Sequence, residues 1–334
     1  MSPEECYKSF LKEFKNYALK YPLSMHVGVY DLCEQDCDSH TMSYKAQLAL
    51  QSVKGDMSTP IAYYTRGLLQ STKEEQEMLR EFDGAIQNKE FEVWFQPQIN
   101  YANGSLVGAE ALVRWRHPKK GLITPLQFIP LFEQSKQITK LDTYVWEETC
   151  RYIKHLNDAG IGLPVAVNVS RIDISRCDVE SILTGLVNKY EISKKQLRIE
   201  ITESAYMKDT AKLTEAVEKL KNAGFVIEMD DFGSGYSSLT VLKNLDIDVL
   251  KIDLDIVREI GGENVKSNNI LKAVAGMTHS LDIAIIAEGV ETKTQADYLE
   301  AIGCSNMQGY YFGKPMPADE FEKMIKNSKI GKLK

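Results

Sequence analysis

Polar residues close a series of short apolar segments in the second half of the chain, and their types and spacing limit the chemistry open to them. Glu110, Asn168, Glu200, Asp230 with Asp231, Lys251, Glu288 and Gln308 each stand at or beside the C-terminal end of a run that reads as a β-strand. Alternation refines the placement. In Leu197-Arg-Ile-Glu-Ile-Thr202 the apolar residues 197, 199 and 201 share one face, which turns Glu200 to the other. The same parity sets Asn168 against Val165, Val167 and Val169, and Lys251 against Leu250 and Ile252. Carboxylates gathered at one mouth repel one another unless cations intervene. Hard oxygen donors with no His or Cys among them favour Mg²⁺ or Mn²⁺ over zinc. Any one of these residues alone reads as a solvated rim acid, a turn or a lone ion pair. The same pattern at seven strand ends does not.

The elements that must position these groups are strands at 91–96, 106–115, 164–169, 197–202, 225–230, 248–252, 283–288 and 306–312. Helical periodicity falls between most of them, at 140–158, 178–190, 208–223, 263–281 and 292–302. Eight strands over about 240 residues predict a closed α/β barrel, whose active sites lie at the C-terminal strand ends. An open doubly wound sheet is the alternative, but no Gly-x-Gly-x-x-Gly follows a strand.

The remaining composition excludes several classes. Among 334 residues, 40 Lys and Arg oppose 47 Asp and Glu, so the net charge of −7 argues against a sequence-independent grip on polymeric nucleic acid. No stretch approaches the ~18–20 apolar residues of a membrane span, and the acidic N-terminus has no signal-peptide core. Six scattered cysteines read as reduced thiols, so the expected location is the cytoplasm. Cys33, Cys37 and His40 have metal-ligand types but no fourth partner at a regular spacing, and read as free loop residues. Before the barrel, the pattern predicts a helix over 3–21, a strand at 25–30, a helix over 42–53, a strand at 60–64 and a charged helix from Ser71.

The segments "MHVGVY", "AQLALQSVKG" and "IAYYT" resemble the C-terminal part of a GGDEF (diguanylate cyclase) domain, but the hairpin motif that defines that activity is absent. The barrel region carries a more specific resemblance. Glu110-Ala-Leu-Val-Arg-Trp115 resembles the signature of the EAL domain, a family of cyclic di-GMP phosphodiesterases. Further motifs follow in the family's order: Asn168-Val-Ser, Glu200-Ile-Thr-Glu203, the Asp230–Ser238 stretch, Leu250-Lys-Ile-Asp253, Ala287-Glu-Gly-Val-Glu291 and Gln308-Gly-Tyr. The implied fold is a modified TIM (β/α)8 barrel with an antiparallel first strand. The implied divisions are 1–66 as the GGDEF-like remnant, 67–90 as a connecting helix, 91–326 as the barrel and 327–334 as a tail.

The resemblance also implies an active, metal-dependent phosphodiesterase that cuts cyclic di-GMP to linear pGpG; the alternative is a receptor that binds without cutting. It places Glu110, Asn168, Glu200 and Asp230 at one divalent cation and Asp230, Asp231 and Glu288 at a second, with Mg²⁺ or Mn²⁺ active and Ca²⁺ inhibitory. Lys251 would hold or deprotonate the attacking water, losing its own proton more readily beside two cations, and Glu203 would anchor the 232–238 loop. Gln96, Leu112, Arg114, Asp253, Glu291, Gln308 and Pro315 would line the substrate. Expected partners are cyclic di-GMP, a second copy through the 237–247 segment, and sensory or complete GGDEF regions of a longer parent. One expectation comes from parity alone. Arg198 and Glu228 lie two residues before Glu200 and Asp230, so both should face the interior one layer deeper and pair there.

Overall fold

The computed structural model describes residues 2–14, 25–32, 38–53, 59–233, 238–260 and 265–327. It divides into two compact units, Met1–Phe82 and Asp83–Lys334. Cys33, Cys37, Ser234 and residues 15–24 and 328–334 lie outside the described residues.

In the first unit, β1 (Val27–Val29) and β2 (Ile61–Tyr63) pair in parallel. The helix Ser39–Ser52 packs on them so closely that a Cβ on Gly28 would stand 2.0 Å from the Ala46 carbonyl oxygen; only glycine allows that approach. This helix starts three residues earlier than the apolar pattern suggests, because Asp38 caps it by accepting from the His40 and Thr41 N–H groups. Likewise the charged helix begins at Arg66 rather than Ser71, with the Thr65 hydroxyl accepting from Leu68 N at 3.3 Å.

In the second unit the chain forms β3 (Phe91–Asn100), β4 (Ser105–His117), β5 (Gly121–Ile123), β6 (Val165–Asn168), β7 (Leu197–Thr202), β8 (Val226–Phe232), β9 (Val249–Ile252), β10 (Ala284–Ala287), β11 (Asn306–Gln308) and β12 (Met316–Pro317). Strands β3, β4 and β6 to β11 close into an eight-stranded ring. Every pairing within the ring is parallel except those of β3, which runs antiparallel to both β4 and β11, as the sequence resemblance implied. The short β5 and β12 add to β4 and β3 outside the ring and carried no recognisable sequence signal. The last barrel strand ends at Gln308 instead of running to 312. Gly309 turns so tightly against the next segment that a Cβ there would meet Val290 O at 2.1 Å.

Outward-facing Leu197, Ile199, Ile201, Ile227 and Leu250 are fully buried in one core cluster with residues of the helices Ile138–Asp158, Val179–Lys189 and Thr210–Ala223. Each such side chain contributes about 1.5–3 kcal/mol of burial. The barrel interior is unusual. Where branched apolar side chains ordinarily fill such barrels, Gln96, Gln98, Glu110, Glu200, Glu228, Lys251 and Gln308 are buried here. No described helix is long and apolar enough to cross a membrane.

Candidate active site

Lys251 marks the centre of the polar interior. Its side chain is 1% exposed, and its Nζ lies 3.4 Å from Glu110 Oε2, 3.5 Å from Asp230 Oδ1 and 2.6 Å from Glu288 Oε1, with a further hydrogen bond to Glu200 Oε1. Burial opposes a charged lysine, but the carboxylates of Asp230, Glu110, Glu200 and Glu288 outweigh it and hold the ammonium protonated, well above the usual lysine range. Among protein groups alone, then, Lys251 is a cation and not the readily deprotonated amine that neighbouring metal ions would favour.

One ammonium does not neutralise four carboxylates. Burial, followed by the charge of Glu110, raises the Glu200 carboxyl well above the usual range. Burial also pushes Glu288 up to about 8. Glu200 Oε2 is buried with no hydrogen-bond donor, although an orphaned carboxylate oxygen is costly. Ligand oxygens of Glu110, Glu200 and Glu288 lie within 4.8 Å of one another. An all-oxygen donor set with an unsatisfied anionic atom fits a hard divalent cation.

Strand register explains the convergence. Asn168 is the Cα partner of Glu200 on the adjacent strand, and its amide donates to Glu110 Oε1 at 3.5 Å. In an unbroken strand Asp230 and Asp231 would point to opposite faces. The β8–β9 register slips between Met229 and Phe232, and Asp231 adopts φ 56°. A bulge of this kind re-aims side chains next to functional sites, and here two consecutive acids border the mouth. Burial, then the charge of Asp230, raises Asp231 to about 6, and its carboxyl contacts that of Asp253.

Glu203 Oε2 accepts from Gly233 N at 3.0 Å, fixing the first residue after β8; residues 234–237 of the expected loop lie outside the described residues. Gly233 has φ 101°, and a Cβ there would meet Ile256 Cδ1 at 2.3 Å. Arg198 and Glu228 do pair, with Nη1 to Oε1 at 3.0 Å and side-chain exposures of 20% and 0%. They are not level, however. The register sets Arg198 against Val226 and Glu200 against Glu228, so the guanidinium reaches diagonally toward the acids.

Two clefts flank Glu110. One of about 240 Å³ is bordered by Gln96, Leu112, Glu288, Glu291 and Gln308, which brings four of the expected substrate residues together. It also takes in Leu254, Arg258 and Tyr310, to which the sequence resemblance assigned no substrate role. The other, of about 430 Å³, runs past Asn168, Ser170 and Arg171. Three expected substrate residues lie differently. Arg114 donates to Val113 O at 2.8 Å and stands 5.6 Å over the Trp94 ring, outside both clefts. Pro315 also borders neither cleft. Asp253 caps the helix Leu254–Arg258, accepting from Asp255 N at 2.7 Å.

A family profile described as the EAL domain matches residues 79–315, most of the chain. The chain belongs to the EAL domain family. The chain is 32% identical over 282 residues to the bifunctional diguanylate cyclase/cyclic di-GMP phosphodiesterase MucR of Pseudomonas aeruginosa, covering 84% of this chain and 41% of that protein. It is 32% identical over 304 residues to the cyclic di-GMP phosphodiesterase NbdA of the same organism, covering 91% of this chain and 38% of that one. The chain thus spans about two-fifths of these relatives' length. Among solved structures, the PaMucR phosphodiesterase in complex with c-di-GMP superposes with a TM-score of 0.70 at 34% identity, covering 73% of this chain and 99% of that chain.

Proposed function

We propose that this EAL domain hydrolyses cyclic di-GMP to linear pGpG. The observation that carries the reading is the buried carboxylate cluster around Lys251, with its orphaned Glu200 oxygen, set between two clefts at the barrel mouth. Relatives named as cyclic di-GMP phosphodiesterases support the substrate class. Glu110, Asn168, Glu200 and Asp230 would hold one divalent cation, and Asp230, Asp231 and Glu288 a second. Bound there, such cations supply Lewis-acid stabilisation of the attacking and leaving oxygens. Lys251 holds and orients the attacking water at its Nζ. Glu203 keeps the turn after β8 in place through Gly233 N. Gln96, Leu112, Glu291 and Gln308 position the dinucleotide over the cluster. Hydrolysis adds the hydroxyl of water to phosphorus and a proton to the departing ribose oxygen.

Pure protein incubated with cyclic di-GMP and Mg²⁺ or Mn²⁺ should yield pGpG by chromatography. Excess EDTA should abolish the product, and Mn²⁺ should restore it. Ca²⁺ should not, because its longer bonds and looser geometry misplace the oxygens. Full turnover in EDTA would sink the metal assignment, and tight binding with no product under any metal would make this chain a receptor.

Arg114 extends the face that carries Glu110 and Leu112, four and two residues further along β4. Its guanidinium can fork two N–H groups onto a phosphate once released from Trp94. Arg114→Ala should therefore raise KM by about 10-fold or more, as for a lost charged hydrogen bond, with kcat little changed. Steady-state kinetics at saturating Mn²⁺ tests this; a fall in kcat at constant KM would contradict it.

A further inference from the structure

We infer that Gln98 is a positioning residue. Through Gln308 it holds the Glu110 carboxylate in the orientation that binds a divalent cation, an inference that rests on the metal role proposed above for Glu110. Strand β3 lies between β11 and β4, and the register sets Gln98 against Gln308 on one side and Gly108 on the other, with Gln96 against Glu110. Gln96, Gln98, Glu110 and Gln308 are all buried, so each amide must present the correct end to its neighbour.

The direction of every amide follows from the two fixed acceptors. An ionised carboxylate only accepts, so Gln308 turns its NH₂ toward Glu110 Oε2. The same Nε2 donates to Gln96 Oε1 at 3.1 Å, and Gln96 presents that oxygen because its own NH₂ donates to the Gly313 carbonyl at 3.2 Å. With both N–H groups of Gln308 directed this way, its Oε1 needs a donor from the opposite side. Gln98 Nε2 supplies it at 3.1 Å. Reversing any one amide would set oxygen against oxygen among buried side chains. The row ends at Gln98 Oε1, which has no hydrogen-bond donor and lies where a Cβ on Gly108 would come within 2.5 Å. Glycine at 108 is therefore what lets Gln98 lie in this position.

Removing the Gln98 donor leaves a buried Gln308 oxygen unsatisfied. The Gln308 side chain then gains by turning, which withdraws its Nε2 from Glu110. Partners one step removed from a metal typically change affinity or activity by about 10–100-fold. Gln98→Met keeps the length and removes the polar end. Isothermal titration with Mn²⁺ should show at least about 10-fold weaker binding, with a single cooperative melt in EDTA showing that the variant still folds. Because Gln98 acts through Gln308, the double variant Gln98→Met with Gln308→Met should bind Mn²⁺ no more weakly than Gln308→Met alone. Gly108→Ala, which displaces the Gln98 oxygen without touching its chemistry, should weaken Mn²⁺ binding in the same direction. Parent-like Mn²⁺ affinity in Gln98→Met or in Gly108→Ala, or additive losses in the double variant, would overturn the inference. A parent chain that does not bind Mn²⁺ would overturn the metal reading of Glu110 instead.

Discussion

Lys251→Ala is expected to turn over cyclic di-GMP about 10²–10⁴-fold more slowly while binding it within about tenfold of the parent. Its Nζ is in contact with all four carboxylates of the cluster and is almost wholly buried, so it faces the reacting centre and not the clefts on either side. A group placed there acts on the water and on charge that develops during reaction. Its loss should therefore fall on kcat. The substitution also removes a cation in contact with Glu200 and Glu288, whose carboxyls burial already pushes upward. The variant should accordingly melt lower in EDTA and recover more of the difference than the parent on adding Mn²⁺. Equal losses of affinity and turnover would make Lys251 a substrate-binding residue.

Glu228→Ala should destabilise the barrel by about 3 kcal/mol, the lower end of the range for stranding a buried charge. The lower end applies because the Arg198 side chain keeps 20% exposure, whereas Glu228 has none. The loss comes from the guanidinium left without its partner, not from the intrinsic worth of the pair. Replacing both at once, Arg198→Met with Glu228→Leu, should therefore stand closer to the parent than Glu228→Ala does. Chemical denaturation in EDTA measures each. A loss below about 1 kcal/mol for Glu228→Ala would mean that the pair behaves as a solvent-screened contact.

Strand parity alone located Glu200, Asn168, Lys251 and the Arg198–Glu228 pair, because each sits between aliphatic residues whose burial fixes the opposite face. It could not locate Asp231. Only the bulge in β8 and the left-handed backbone at that residue bring two adjacent acids to one mouth, and neither leaves a trace in residue type. Gln98 was overlooked for a different reason. A glutamine within a strand names no partner by itself, and its meaning depends on the register that sets it beside Gln308 and Gly108. The spacing Gln96-x-Gln98, read against Gly108-x-Glu110 in the following strand, was the available clue. The short helices that follow several strand ends also escaped notice. Asp253, which the resemblance places at the substrate, also caps one of these helices.

The antiparallel β3 gives the ring two kinds of join. On one side β3 and β4 form a hairpin whose nearest paired residues, Asn100 and Ser105, are five positions apart in sequence. On the other side β3 meets β11, where Asn100 bonds Asn306 across 206 residues and Gln308 bonds Gln96 across 212. Closing a loop that long costs about 2.6 kcal/mol more than closing one of ten residues, and contacts between distant segments form slowly. The hairpin can thus be made early, while the seam waits until the six intervening strands have assembled. Gln98 and Glu110 belong to the early piece and Gln308 to the late one. The amide that orients Glu110 is therefore delivered by the last event of barrel closure, and a chain stalled before that event holds the acids without the geometry to use them.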